Sequence, residues 1–276
     1  MPGFFSSVTE RRTVTHGTAK FDLPILYYRD DLFLLFFSAD FGRVKALMPS
    51  DKLHPVKMPS GRAMIAVAAF NYLETSIGPY GEVGVVLPAV YGKRPPLPVV
   101  PGLLEASYPN FGVLVLHLPV TKIVARDAGR GEWGYPKFVA DMRFVNTPEY
   151  HQLEMGEDGS NIMTMRVMKK GVALRDSKPL ITYTVKDRKL IKTTIPQIGM
   201  HRDAIMPSDS FLKLGDHPVA KSLKELDISN KPVLSRYFVE RSGILPSGEV
   251  IEENVRPNEG YLGRDRKAEY TTVYEE

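Results

Sequence analysis

One stretch of the chain carries residue types that could do covalent chemistry: Gly129-Arg130-Gly131-Glu132-Trp133-Gly134-Tyr135-Pro136-Lys137-Phe138. It holds the only tryptophan and sets three glycines and a proline before a single lysine. A lysine held on rigid backbone against apolar walls can give up its proton, and the neutral amine is a nucleophile toward carbonyl carbon. Pro136 fixes its own φ and pushes Tyr135 toward an extended conformation. Gly131 and Gly134 permit tight turns or close backbone approach. Trp133, Tyr135 and Phe138 are the aromatic groups expected to keep water from Lys137. The pattern points to Schiff-base chemistry, against the ordinary alternative of an exposed turn lysine.

Two other side chains fit such chemistry. Glu82, in Tyr80-Gly81-Glu82-Val83-Gly84, adjoins an apolar strand pattern, where a partly buried carboxyl would serve as proton donor. Arg29, in Tyr27-Tyr28-Arg29-Asp30-Asp31, could grip a carboxylate in two-pronged fashion. Taken alone, each has a plainer explanation: a solvated turn glutamate, and a surface ion pair with Asp30 or Asp31. Gly129-x-Gly131-x-x-Gly134 spells the dinucleotide fingerprint. That motif needs a helix directly after it within a βαβ unit, and Pro136 followed by a strand-like pattern denies one. The six histidines (His16, His54, His117, His151, His201, His217) show no metal-ligand spacing. His217 falls at a helix start, where a capping role suffices.

Composition narrows the classes. Lys+Arg 36 against Asp+Glu 32 gives +4 over 276 residues, and the densest basic groups, Lys169-Lys170 and Lys186 to Lys189, are too short for a nucleic-acid footprint. There is no cysteine, so disulfides, thiolate metal sites and cysteine nucleophiles are excluded. Met1 to Phe5 lacks the pattern of a signal peptide. The longest strongly apolar run, Leu32 to Phe37, falls far short of the roughly 20 residues of a membrane helix. The expectation is a cytoplasmic protein with no membrane or nucleic-acid partner.

The elements that must position these side chains are mainly strands. Leu32 to Phe37, Met64 to Phe70 and Gly112 to Leu118 are short apolar runs suited to buried strands. Ile162 to Met168 alternates after the turn pair Asp158-Gly159, and Leu180 to Val185 and Leu190 to Ile195 alternate on either side of a charged turn. Helices are expected over Asp40 to Met48, capped by Asp40, and after Asp216 as a second N-cap, with Val219, Leu223 and Leu226 on one face. Tyr91 to Pro101 is proline-rich and reads as an extended loop, a lid or a subunit contact. Asn254 to Glu276 reads as an arm or frayed tail. No repeats or linkers occur, so residues 1–276 are expected to form a single β-rich α+β domain built around a closed or nearly closed barrel with a few flanking helices.

These segments resemble the acetoacetate decarboxylase superfamily. Gly129-Arg130, six residues, then Lys137, preceded by Tyr135-Pro136, is similar to the pattern around that family's Schiff-base lysine. Phe37 to Pro49 resembles its strand, short helix and proline. Tyr80-Gly81-Glu82 resembles the segment carrying its active-site glutamate. Asp216 to Leu226 and Gly243 to Val250 resemble its C-terminal helix and closing strand.

The resemblance implies a closed antiparallel β-barrel, Lys137 as the imine-forming amine, Glu82 as the acid that handles the proton, and Arg29, after a one-residue shift, as the carboxylate or polar anchor. It implies decarboxylation of a β-keto acid such as acetoacetate, no metal or organic cofactor, and a homo-oligomer. Two departures stand out. Phe138 occupies the place of a second lysine, and Ile65 to Phe70 lacks a carboxylate that well-known members carry upstream of the Tyr-x-Glu segment. Lysine-imine aldol or dehydration chemistry on pyruvate-like keto acids stays open, as does a non-catalytic barrel that binds a small apolar ligand.

Overall fold

The structure, a computed structural model, describes residues 3–93, 108, 110–258, 260–263 and 272–275, the last four as backbone. Most of the proline-rich loop and part of the C-terminal stretch therefore lie outside the described residues.

A hairpin, β1 (Arg12–His16) and β2 (Ala19–Leu23), precedes the long strand β3 (Ile25–Ala39). Helix α1 (Phe41–Ala46) and the short β4 (Leu53–Pro55) lead to β5 (Ala63–Thr75), β6 (Tyr80–Tyr91) and β7 (Phe111–His117). Helix α2 (Ile123–Trp133) delivers the chain to β8 (Asp141–Asn146), β9 (Tyr150–Glu157) and β10 (Ser160–Met168). Strands β11 (Val172–Asp176), β12 (Leu180–Lys186), β13 (Lys189–Ile195), β14 (Gln197–Ile205) and β15 (Phe211–Leu214) precede helix α3 (Pro218–Glu225). Strands β16 (Leu234–Leu245), β17 (Glu249–Glu252) and β18 (Thr272–Glu275) complete the order.

The large sheet runs β11-β14-β16-β3-β5-β6-β7-β12-β13-β17, with β4 on β6; the smaller runs β15-β10-β9-β8-β18. Central strands β5 and β6 are buried on both faces almost throughout, which is why Met64 to Phe70 reads as an unbroken apolar run. Strand β9 alternates strictly, one face buried and one partly open. On one face of β3, β5 and β6, Phe33, Leu35, Ile65, Val67 and Val85 pack against Met155, Met163 and Met165 of the small sheet. On the other face, Ala66, Ala68, Phe70 and Val86 belong to a second cluster with the β1–β2 hairpin and α2.

Three expectations need correction. The large sheet is an open path, not a closed barrel. Strands β13 and β14 follow each other through Pro196, which has no N–H to give a ladder and whose carbonyl accepts from Ile244 N at 2.9 Å. The ends of the path are β11 and β17, and no ladder joins them among the described residues. The stretch read as glycine turns is largely helix: Gly129 and Gly131 lie inside α2, despite a cost of about 1 kcal/mol each relative to alanine. The cap of α3 is His217, whose Nδ1 accepts from Val219 N at 3.2 Å, not Asp216. Asp40 does cap α1, accepting from Arg43 N at 2.8 Å.

The C-terminal stretch is tied in where it is described. Val255 is buried, and β18 pairs in parallel with β8. Among the described residues no helix is long and apolar enough to cross a membrane.

Candidate active site

Helix α2 ends at Gly134, whose φ of +66° is the left-handed cap that glycine adopts without strain. The chain reverses there: Tyr135 N returns to Gly129 O at 3.1 Å, and Lys137 N donates to Tyr135 O at 2.7 Å. Leu118 N binds Pro136 O at 3.1 Å and Val120 N binds Phe138 O at 2.8 Å, pinning the loop to the end of β7. Arg130 Nε donates to Lys137 O at 2.6 Å while its Nη2 reaches Leu262 O at 2.8 Å. Gly129 faces the lysine stem so closely that a Cβ there would sit 2.5 Å from Lys137 Cδ and 2.6 Å from Cε. The Gly-Arg pair thus has two mechanical duties: the glycine leaves a slot for the lysine, and the arginine grips its carbonyl.

The lysine turns into the molecule. Lys137 Nζ donates to Glu82 Oε2 at 2.7 Å, with both side chains buried. Glu82 lies on β6, opposite Phe70 of β5, and accepts at Oε1 from the Tyr72 hydroxyl at 3.1 Å. Lys137 Nζ also stands 5.7 Å from the ring centre of Tyr80 and 5.6 Å from that of Tyr135, within cation–π range. Tyr80 and Tyr27 share a hydrogen bond of 3.0 Å, and Tyr135 pairs with Thr182 Oγ1 at 2.8 Å. Burial pushes the phenols of Tyr27, Tyr72, Tyr80 and Tyr135 up, and the negative charge of Glu82 adds to the effect in each. The four therefore stay protonated around the carboxylate.

The structure brings two of the three proposed residues together and leaves the third apart. Arg29 is exposed: two register irregularities where β3 meets β5, at Tyr27/Arg29 and Arg29/Asp30, turn it to solvent and Asp30 inward. A buried guanidinium on the cavity wall is instead Arg241 of β16, whose Nη1 donates to Asp30 Oδ2 at 2.5 Å and whose Nε donates to Gln197 at 3.0 Å. Burial works against its charge, but Asp30 and the neighbouring Tyr72 and Tyr27 hold it above its ordinary value.

The expected aromatic walls are also redistributed. Tyr135 faces the amine, whereas Trp133 packs on Phe21 and donates to Pro246 O at 2.8 Å. Phe138 points the other way, stacked at 18° on His217 and edge-on to Tyr261. The side chain after Lys137 is thus remote from Nζ, and Tyr72 and Tyr80 were missed because no local spacing ties them to the lysine.

Behind the loop lies a second polar cluster. His217 Nε2 bonds to Glu157 Oε2 at 2.9 Å, and the Tyr261 hydroxyl donates to the same oxygen at 2.6 Å. His117 accepts from Tyr261 N at Nδ1 and so presents Nε2–H to Ser222 Oγ at 2.9 Å. Burial, with the neighbouring His217, lowers His117 to about 4. Among the described residues no three His, Asp or Glu side chains converge as metal ligands.

Lys137 and Glu82 open onto a cavity of about 1400 Å³ that Tyr27, Tyr72, Tyr135 and Arg241 also line. Ala66 and Ala68, from the stretch without a carboxylate, stand on its wall.

A family model described as acetoacetate decarboxylase matches residues 12–254. Among solved structures, one from structural studies of acetoacetate decarboxylase aligns at 18% identity over 83% of this chain and 90% of its own, with a TM-score of 0.65. Acetoacetate decarboxylase from Legionella pneumophila aligns at 16% identity over 90% of this chain and 93% of its own, TM-score 0.62. The enduracididine biosynthesis enzyme MppR complexed with pyruvate aligns at 11% identity over 87% and 92%, TM-score 0.58. At these identities the structural likeness is one of fold. A search of curated proteins found no match.

Proposed function

The chain belongs to the acetoacetate decarboxylase family, and from that membership we propose that it decarboxylates a β-keto acid through an imine on Lys137. The observation that carries this reading is the buried 2.7 Å contact between Lys137 Nζ and Glu82 Oε2 at the cavity wall. The pair stores a proton and an amine side by side. When the ammonium passes its proton to Glu82, the free amine adds to the substrate ketone. Glu82 returns that proton to the departing hydroxyl, which leaves as water, and a protonated imine forms. The bond to the carboxylate breaks, its electrons move toward the imine nitrogen, and carbon dioxide and an enamine result. The step erases the charge of the carboxylate, which an apolar surround favours. Glu82, reprotonated from solvent, protonates the enamine carbon. Water then hydrolyses the product imine, freeing the ketone and regenerating the ammonium. One proton is consumed per turnover.

Tyr72 holds Glu82 through Oε1 and leaves Oε2 to the amine. Arg241, on the cavity wall where Arg29 is not, takes the role of polar anchor in this proposal. A lysine enamine also serves aldol or dehydration chemistry on pyruvate-like acids. The fold likeness to pyruvate-bound MppR and the alanines in place of a wall carboxylate favour that second reading.

Borohydride trapping tests both. A reduced adduct on Lys137 with acetoacetate, absent in Lys137→Ala, together with release of carbon dioxide, is the expected result. An adduct with pyruvate alone would move the assignment to the aldol class. No adduct with either acid, in folded protein, would leave a ligand-binding protein without imine chemistry.

A further inference from the structure

The cavity is far larger than its reacting groups need. Protein interiors are close-packed, and pockets for drug-sized ligands run to roughly 300–1,000 Å³. At about 1400 Å³, this one exceeds that range, while acetoacetate has four carbons.

Its shape follows from the strand register. On β6, Glu82, Gly84, Val86 and Pro88 alternate along the cavity wall. At about 3.3 Å per residue, the wall extends ~20 Å from the carboxylate. The residues opposite on β5 are Phe70 for Glu82, Ala68 for Gly84 and Ala66 for Val86. Small side chains thus follow directly after the reacting pair, where the opposite face of the same strands carries Val67, Val83 and Val85. Beyond them, one apolar row crosses six strands: Ile205, Leu234, Phe36, Ala66, Val86 and Val115 are register partners in succession. The row ends at an open rim, where Val172 is 70% and Ile205 is 82% exposed.

Resting on the imine reading, we infer that the substrate is a long-chain 3-oxo acid whose alkyl tail lies along this floor, from Gly84 and Ala68 toward Pro88. An extended chain advances about 3.3–3.6 Å per three backbone bonds, so ~20 Å holds roughly sixteen to eighteen bonds. Lys137, Glu82, Tyr72 and Arg241 stand together at the reacting end, and the path along β5 and β6 between Glu82 and Pro88 offers no charge; the cavity's other charged side chains, Asp176, Lys178 and the ion-paired Asp203 and Arg236, come from β11, the loop after it, β14 and β16. A long unbranched tail suits that division.

The test is a chain-length series: acetoacetate, 3-oxohexanoate, 3-oxooctanoate and 3-oxododecanoate, read as kcat/KM for carbon dioxide release and as borohydride adduct on Lys137. Each buried methylene is expected to raise kcat/KM about fourfold until the floor is filled, giving 3-oxododecanoate at least a hundredfold over acetoacetate. Ala66→Phe, and independently Ala68→Phe in case the first fails to fold, should collapse the ratio of long to short acid. Adducts with every acid but a flat or falling profile would overturn the tail assignment and leave the imine reading standing. A separate arm removes the chemistry: calorimetric titration of Lys137→Ala with methyl ketones from 2-butanone to 2-undecanone. Affinity rising with length supports the tail path even if no acid forms an adduct; affinity independent of length overturns it.

Discussion

Two buried ion pairs stand beside one cavity, Lys137–Glu82 and Arg241–Asp30, and every partner is less than a tenth exposed. Burial does not separate them; the chemistry of the cation does. A guanidinium keeps its proton in any protein environment, so Arg241 offers Asp30 a fixed charge. A lysine amine can hand its proton to the carboxylate beside it and become a nucleophile. The carboxylates differ as well. Both oxygens of Glu82 are engaged, one by Tyr72 and one by Lys137, whereas Asp30 Oδ1 has no hydrogen-bond partner among the described residues. Burial pushes the Asp30 carboxyl up, against the pull of Arg241. A buried pair is therefore no sign of catalysis until one asks whether its proton can move.

The largest expected effect breaks the first pair. Lys137→Ala should abolish borohydride trapping and lower kcat at least about ten-thousandfold, since removal of a covalent nucleophile is rarely rescued by binding alone. Residual turnover near wild type would end the imine reading. Breaking the second pair should strike stability first. Arg241→Met leaves Asp30 buried without its counter-charge, at a cost of about 3–5 kcal/mol by urea unfolding, and Asp30→Asn in the same chain should return most of it. If both singles and the double are equally stable, the two pairs are not alike in burial cost.

Glu82→Gln keeps the shape but removes the proton store. Its kcat should fall about a hundred- to a thousandfold, with the adduct on Lys137 forming slowly rather than vanishing. The cluster behind the loop sharpens the contrast, because His117 is buried neutral. Lowered to about 4 in the folded protein, it binds fewer protons than the unfolded chain between pH 6.5 and 4. Its stability contribution is present in full above pH 6.5 and is lost as pH falls toward 4, by about 3 kcal/mol. Unfolding at pH 7.5 and 4.5 should show this loss, and His117→Gln should reduce it, the buried His151, lowered to about 3, keeping a further share; an undiminished loss in the variant would take His117 out of the acid response. The smallest effect comes from Gly129→Ala. On an open helix alanine would gain about 1 kcal/mol. Here the added methyl meets the Lys137 stem, and overpacking should cost about 1–3 kcal/mol together with a drop in kcat.

What was legible in the chain was local. Asp158-Gly159 and Asp187-Arg188 both adopt positive φ, at 49° and 73° and at 50° and 58°, and close the hairpins that alternation had marked. Lys137 stood out because glycines, a proline and the single tryptophan crowd around it, and Glu82 because it adjoins an apolar strand pattern in a segment that resembles the family's. Arg29, chosen for its guanidinium and from the family resemblance, is turned to solvent because β3 is irregular on both sides of it, which its local sequence does not reveal. Arg241 had no local signal; its partner Asp30 is 211 residues away. The helix over Ile123–Trp133 was hidden because its glycines argue against it, and they are there for contacts only the folded molecule makes. Sheet closure depends on whether the end strands β11 and β17 meet, and no local pattern reports on a pairing so far apart in the chain.

The absent methyl at Gly129 also bears on timing. A free lysine side chain samples many rotamers, and ordering it costs up to about 2 kcal/mol. Seated in the slot that Gly129 leaves, and held at its carbonyl by Arg130, Lys137 has given up that freedom when the protein folded, before any substrate arrives. The saving amounts to as much as roughly thirtyfold in the share of encounters that find the amine already aimed. A residue with no side chain would then act on rate through entropy alone.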